Sequence, residues 1–480
     1  MFLLLVVIIL VLVCLGGRMR SVKDLPSYPG WLPVIGHLHL LLGYEEKKLW
    51  TVFKQICDEA TRRGGVMAFY LGPSALTFVS DPEDVQLVSR YCQEKHYMYD
   101  MAKPWLGNGL LTADTATWKI TRKVMNLAFT PQMLNGFMSV FNSQAQRLTT
   151  QFEDNPERTF VPHTMLTINN LETICLTSIA FDPQKHKELF ERYRVAISNI
   201  FALLVQRFLR FWLQSPFIYK FSKLKTQTDM VIKDLHNLSN TVIQKRKAII
   251  ESKEHLVKED QFRPLMDIIL ELSKEKGLSD RQVREEMDTI IFGGHDTTAN
   301  TLTFALMLLG SDLEKQEKVY QEIIEVMGHS DRDVEKEDLL KLVYLEKVIK
   351  ETLRLYPIAP AFPRVSTSEL KIKTYTFPAG STFVVDAFNL HRHSVWGPDA
   401  EEFKPERWEK LDSWPKEYMP FGVGRRTCIG KMYAMMSMKI SLAHLLRRFK
   451  VTSDISKLTL KMDSLLRPES GHVITLELRK

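Results

Sequence analysis

The amino-acid sequence predicts a mainly α protein with a small β region, and three observations carry that prediction. Helical periodicity dominates, and its longest stretch, residues 280–309, opens on a capping box and contains no proline. Two short stretches, 66–79 and 371–385, gather Thr, Val, Phe and Tyr between proline and glycine punctuation, which reads as strands. A composition of 45% hydrophobic and 25% charged residues supplies a large core and excludes a disordered chain. No repeat or low-complexity tract divides residues 37–480, so they read as a single domain.

The elements follow in chain order. Residues 1–17 carry no charge and are rich in Leu, Val and Ile, with Arg18, Arg20 and Lys23 directly behind them. That length is the short limit for a bilayer span, and positive charge after the apolar run places the remainder on the cytosolic side. The segment reads as a membrane anchor; a cleaved leader ending at Gly16 and Gly17 is the alternative. Residues 18–36 are basic and hold Pro26, Pro29, Gly30, Pro33 and Gly36, a stiff hinge. The net charge of +7 suits an anionic membrane surface or an acidic partner, and the lack of basic clusters with interleaved aromatics argues against nucleic acid. The five cysteines, Cys14, Cys57, Cys92, Cys175 and Cys428, are odd in number and show no pairing rhythm, which fits a reducing compartment. Residues 200–221 are unusually aromatic, a pattern that is ordinarily core. The charged stretch 251–274 reads as a solvated connector with helix ends.

Ser279 to Gln282 cap the long helix, Gly310 reads as its stop, and Ser311 to Glu314 start the next. About 30 residues at 1.5 Å each span roughly 45 Å, enough to cross a domain. Glu285, Glu286, Asp288 and Asp296 exclude a membrane helix. Gly293 and Gly294 in its middle cost roughly 2 kcal/mol relative to alanine. One reading is a helix break newly capped by Asp296. The other is a cavity: Gly294 leaves space over a planar cofactor, and the Thr297 hydroxyl and Asp296 carboxylate form a proton route.

Cys428 lies in the run Phe421-Gly422-Val423-Gly424-Arg425-Arg426-Thr427-Cys428-Ile429-Gly430. A lone thiol framed by three glycines and two arginines suits a metal-bound thiolate, because positive charge and turned-out backbone N–H groups stabilise the anion. A small buried hydrophobe is the plainer reading of any free cysteine. Thr427 occupies the place of the third glycine of a dinucleotide fingerprint, and five rather than four residues separate Gly424 from Gly430, so a P-loop fails too. No Cys or His cluster beside Cys428 supports zinc.

The pattern Phe-x-x-Gly-x-Arg-x-Cys-x-Gly resembles the haem-ligand loop of the cytochrome P-450 monooxygenases. Gly293-Gly294-His295-Asp296-Thr297 is similar to that family's oxygen-activation motif. Glu351-Thr352-Leu353-Arg354 and Phe403-Lys404-Pro405-Glu406-Arg407-Trp408 resemble two further family elements, with Trp408 in place of phenylalanine. The resemblance covers everything after the hinge. It implies the cytochrome P-450 fold, a triangular helical prism around noncovalent haem b, with Cys428 as iron ligand on a loop lined by Phe421, Gly422 and Gly430. It further implies Gly294 over the haem, Thr297 donating to bound oxygen, Asp296 relaying protons, and Glu351, Arg354 and Arg407 as a buried structural triad. Trp118 and Arg122, one helical turn apart, together with Arg364 and Arg426, would hold the haem propionates.

The chain has no nucleotide motif of its own, so electrons come from outside. The resemblance implies NADPH-cytochrome P-450 reductase, with cytochrome b5 as a second donor, docking on Lys119, Lys123, Arg425, Lys431 and Lys439. It also implies an endoplasmic reticulum membrane with the catalytic domain on the cytosolic face. A lipophilic substrate would enter beneath a lid at 200–221, with Ala361 and Phe362 as pocket candidates. Trp105 to Leu111 and Glu286 to Phe292 resemble the family-4 branch, insect-like in character; many members carry at position 293 a glutamate that esterifies the haem, whereas this chain has Gly293. Two rivals remain: a haem-binding sensor or carrier without turnover, and a hydroperoxide isomerase, which commonly lacks the helix threonine present here as Thr297.

Overall fold

The computed structural model describes residues 22, 24–42, 46–251, 263–409, 414–463 and 465–479, with a few isolated positions before 12. The anchor at 1–17 lies almost wholly outside the described residues, as does the start of the hinge. Among the described residues no helix is long and apolar enough to cross a membrane. Residues 24–36 lie along the sheet edge, where Tyr28 N donates to Ala68 O at 2.9 Å and His37 N to Tyr70 O at 2.8 Å.

Helices make up 61% of the structure, so the mainly α class holds. One helix, Asp280–Ser311, runs through the middle with most of its residues buried. It packs most extensively on His163–Ile179, and it also meets Lys223–Glu251, Leu265–Lys276, Val343–Leu355 and Lys431–Arg448. Its start is the capping box the sequence predicts: Ser279 Oγ accepts from Gln282 N, and the Gln282 side chain accepts from Ser279 N at 2.9 Å. The helix neither breaks at Gly293 nor stops at Gly310. Gly310 is buried inside the last turn, and a Cβ there would lie 2.9 Å from Ser453 N. This glycine lets the strand Phe449–Ser453 press against the helix; the next helix begins after Asp312, whose carboxylate accepts from Lys315 N.

The stretch 66–79 and the end of the stretch 371–385 meet in one four-stranded sheet, while Leu370–Ile372 and Tyr375–Phe377 form a separate hairpin. Val66–Leu71 pairs antiparallel with Ser74–Val79, which runs parallel to Thr382–Asp386, and Ala361–Val365 closes the far edge antiparallel. Phe362 belongs to the apolar core on this sheet. The stretch 251–274 is partly corrected. Residues 252–262 lie outside the description, but Leu265–Lys276 is a helix that buries Leu265, Met266, Ile268, Ile269 and Leu270. The charges interleaved with these residues hide their helical spacing from a composition-based reading.

The aromatic segment splits. Phe201, Leu213 and Tyr219 turn inward, while Phe211, Trp212, Phe217, Ile218 and Phe221 stand exposed on the turn between Lys187–Leu209 and Lys223–Glu251.

Candidate functional site

Cys428 sits two residues before Gly430, the N-cap of the C-terminal helix Lys431–Arg448, so its sulfur lies near the positive end of that helix. The loop closes on itself: Cys428 N donates to Phe421 O at 2.9 Å. Gly422 and Gly424 both take φ near +75°, and Gly424 also brings the backbone onto Ser89, whose carbonyl oxygen a Cβ would meet at 2.8 Å. Burial pushes the Cys428 thiol up, against which the Gly430 N–H and the Arg122 guanidinium work. As a residue Cys428 is nonetheless exposed, unlike Cys57, Cys92 and Cys175. A thiol faced by an N–H donor and an arginine readily gives up its proton to a metal ion.

Arg122 donates from Nη1 to Thr427 O and from Nε to Asn126 Oδ1, each at 2.8 Å. It therefore braces the cysteine loop. Arg426 lies over the Trp118 ring with its guanidinium carbon 4.3 Å from the centroid, and donates from Nη2 to Ala113 O at 3.1 Å. Its Nε and Nη1 are buried without a hydrogen-bond partner among the described residues. Burial and then Arg364 push its pKa down to about 10. Lys95, which sequence reasoning did not find, is held well below the usual lysine range by burial, Arg364 and Arg426. Among the described residues none of Lys95, Arg364 and Arg426 forms an ion pair with a carboxylate. Clustered cations with orphaned guanidinium nitrogens call for an anion, and the two propionates of haem fit that demand. Nothing in the sequence around Lys95 marks it; only the fold brings it to Arg364 and Arg426.

On the central helix, Thr297 Oγ1 donates to Gly293 O at 2.8 Å. A Cβ on Gly293 would meet nothing within 4 Å, whereas one on Gly294 would lie 2.8 Å from Ile174 Cδ1. The expectation for Gly294 is thereby corrected: it is the contact that lets His163–Ile179 pack closely, and Gly293 is the glycine that faces open space. The reason is angular, since consecutive helix positions point about 100° apart. The same rotation separates Asp296 from Thr297. The Asp296 carboxylate is buried and pairs with Arg467 Nη2 at 2.9 Å.

The buried triad forms as expected. Glu351 accepts from Arg354 at 2.8 and 2.9 Å and from Arg407 at 2.7 Å, with Glu351 and Arg354 fully buried. Trp408 joins it: its Nε1 donates to Glu351 Oε2 at 3.0 Å, a bond that phenylalanine could not make. The two segments that resemble the family-4 branch also meet. Asn108 N donates to Glu285 Oε2 at 3.0 Å and Leu110 N to Glu286 Oε2 at 3.1 Å, while Gly107 and Gly109 leave no room for a Cβ beside Glu285 and Thr289. Of the expected docking charges, Lys119, Lys123 and Arg425 are exposed, but Lys439 is buried on Glu346 at 2.6 Å and Leu339 O at 2.7 Å. Lys431 is half-buried with its ammonium 4.1 Å from the Trp414 ring centroid.

A sequence model of the Cytochrome P450 family matches residues 26–476. The chain is similar to Cytochrome P450 4V2 of Mus musculus, 32% identical over 98% of this chain and 92% of the relative. It is also similar to Cytochrome P450 4c21 of Blattella germanica, 29% identical over 96% and 95%, and to Cytochrome P450 4g15 of Drosophila melanogaster, 26% identical over 96% and 93%. The match over nearly the whole chain, together with a cysteine loop and cation cluster suited to haem b, shows that this protein belongs to the cytochrome P450 family of haem-thiolate monooxygenases.

Proposed function

We propose that this chain is a microsomal monooxygenase whose substrate is lipophilic and reaches it from a bilayer. Haem held by Cys428 supplies the dioxygen chemistry, with net reaction RH + O2 + 2e− + 2H+ → ROH + H2O. The residues of the chain bind, orient and move protons around it. Cys428 is the ligand, Phe421, Gly422 and Gly430 shape its loop, Arg122 braces that loop, and Lys95, Arg364 and Arg426 hold the propionates with Trp118 stacked beneath Arg426. Thr297 Oγ1 is the hydroxyl that passes a proton, fed from Asp296 on the adjoining face. The observation that carries the cofactor assignment is the orphaned Arg426 guanidinium within a cluster of unpaired cations.

The substrate reading rests on the exposed Phe211, Trp212, Phe217, Ile218 and Phe221, flanked by Arg210, Lys220 and Lys223. An apolar knob ringed by basic residues suits the interface of an anionic bilayer. Electrons would arrive from an NADPH-dependent reductase on the face bearing Lys119, Lys123 and Arg425. The endoplasmic reticulum, reached through the apolar run at 1–17, is the compartment this reading requires.

The test is purified protein with NADPH reductase, scored for NADPH and O2 consumption against fatty acids, hydrocarbons and terpenoids. Product formed in step with NADPH supports the monooxygenase; haem binding with no turnover on any class overturns it in favour of a sensor. Cys428→Ser abolishes the reduced carbon monoxide band of thiolate-ligated haem, and its persistence would refute the ligand assignment.

A further inference from the structure

We propose that Arg467 is a positioning residue for proton delivery: it fixes the Asp296 carboxylate and ties it to the lid helix. The inference rests on the monooxygenase reading above.

Arg467 lies on the strand Leu466–Ser470, which pairs with Thr459–Met462, far in sequence from the central helix. Its Nη2 lies 2.9 Å from Asp296 Oδ2 and its Nε 2.9 Å from Asp463 Oδ2, so one guanidinium sits between two carboxylates as an ion pair, although among the described residues neither Asp296 Oδ2 nor Arg467 Nε makes an aligned hydrogen bond. Its third contact is aromatic. The guanidinium carbon sits 5.2 Å from the ring centroid of Phe201, on the helix Lys187–Leu209. Phe201 stacks on Phe292 at 5.0 Å, and Phe292 meets Trp105 edge-on at 5.4 Å. Phe292 directly precedes Gly293, whose carbonyl accepts the Thr297 hydroxyl. Arg467 therefore joins the C-terminal hairpin, the lid helix and the turn of the central helix that holds both members of the proton route.

This placement has a physical consequence. Asp296 is 2% exposed, and a carboxylate so buried needs a fixed cation. Arginine supplies a charge spread over nitrogens that reach Asp296 and Asp463 at once; lysine supplies a single point charge. His163, whose pKa burial pushes down to about 4, stays neutral nearby and cannot replace it. Asp296 points about 100° away from Thr297, so proton transfer between the two faces depends on where the carboxylate is held. Phe201 lies against the same guanidinium, which lets the position of its helix bear on Asp296.

The measurement is the fraction of electrons recovered as product. Productive turnover, RH + O2 + 2e− + 2H+ → ROH + H2O, and the leak, O2 + 2e− + 2H+ → H2O2, draw equal electrons and protons. Their ratio reports how protons are placed and not how fast electrons arrive. Arg467→Met raises peroxide per NADPH by about fivefold or more, and Arg467→Lys recovers most of the coupling. Asp296→Asn uncouples to a similar degree, and the double variant Arg467→Met/Asp296→Asn is no worse than Asp296→Asn alone.

Thermal midpoints of the haem-loaded variants give a second readout. Arg467→Met, which strands Asp296, melts a few degrees below wild type, and the uncharged double variant regains part of that loss. Should Arg467→Met fold poorly, Arg467→Lys and the double variant carry the comparison. Wild-type coupling in Arg467→Met, or uncoupling effects of Arg467→Met and Asp296→Asn that multiply, overturns the proposal while leaving the monooxygenase standing. A wild-type protein that makes no product overturns both readings.

Discussion

Removing Glu351 should unfold this protein more readily than any substitution at its surface. The carboxylate accepts from Arg354 Nε and Nη2, Arg407 Nε, Trp408 Nε1 and Lys404 N, at distances from 2.7 to 3.0 Å. Glu351→Ala leaves the fully buried Arg354 guanidinium without a carboxylate among the described residues, and leaves Arg407 with Asp399 alone, at 3.2 Å. Breaking such a pair costs about 3–5 kcal/mol, a large part of a typical stability of roughly 5–15 kcal/mol. Glu351→Gln keeps an acceptor but not the charge, and should fall between alanine and wild type. Urea unfolding followed by far-UV circular dichroism gives the numbers, with haem absorbance recording whether the nearby loop lets go in the same transition. The sharper expectation concerns non-additivity: replacing Glu351, Arg354 and Arg407 together by apolar residues should cost less than the sum of the single losses, because no charge is then stranded. An alanine variant within about 1 kcal/mol of wild type, or a triple variant whose loss equals that sum, would refute the argument.

Three glycines of the central helix should rank by what a methyl group meets. Gly293→Ala meets nothing and should stabilise by up to about 1 kcal/mol from helix propensity. Gly294→Ala must displace Ile174 and should offset that gain with about 1–3 kcal/mol of overpacking, while Gly310→Ala strikes the Ser453 backbone and should cost the most; denaturant midpoints check the order. Burial raises the pKa of Glu286 to about 8 and of Asp288 to about 7. At these two groups the folded state binds protons that the unfolded chain releases near pH 4, so their contribution to stability is fullest in acid and is lost as pH rises through about 7 to 8. Glu286→Gln should flatten that decline, and unfolding free energies at pH 5, 6, 7 and 8 that slope equally in wild type and variant would contradict it.

Local patterns account for much of the site. The Cys428 loop was legible because a thiolate ligand needs glycines, arginines and N–H donors close by in the chain, where spacing displays them. The capping box at Ser279 and the pairing of Glu351 with Arg354 were equally legible, since partners three residues apart on a helix share a face whatever surrounds them. Gly310 misled because a glycine after an apolar run is usually a stop, and nothing local announces a strand that will press against it. Lys439 misled for a related reason: a lysine beside a motif looks solvated until Glu346 is found facing it.

By itself the chain determined its helical class and displayed the motifs around Cys428, Gly293 to Thr297 and Glu351 to Arg354, because each rests on short-range spacing that backbone geometry reads directly; Arg407 came only through the family resemblance. Tertiary structure alone decided which glycine of the pair faces open space, that Lys95 joins Arg364 and Arg426, and that Arg467 holds Asp296. Those facts depend on angles between packed elements, and charges buried together from distant parts of a chain leave no periodicity in the order of its residues.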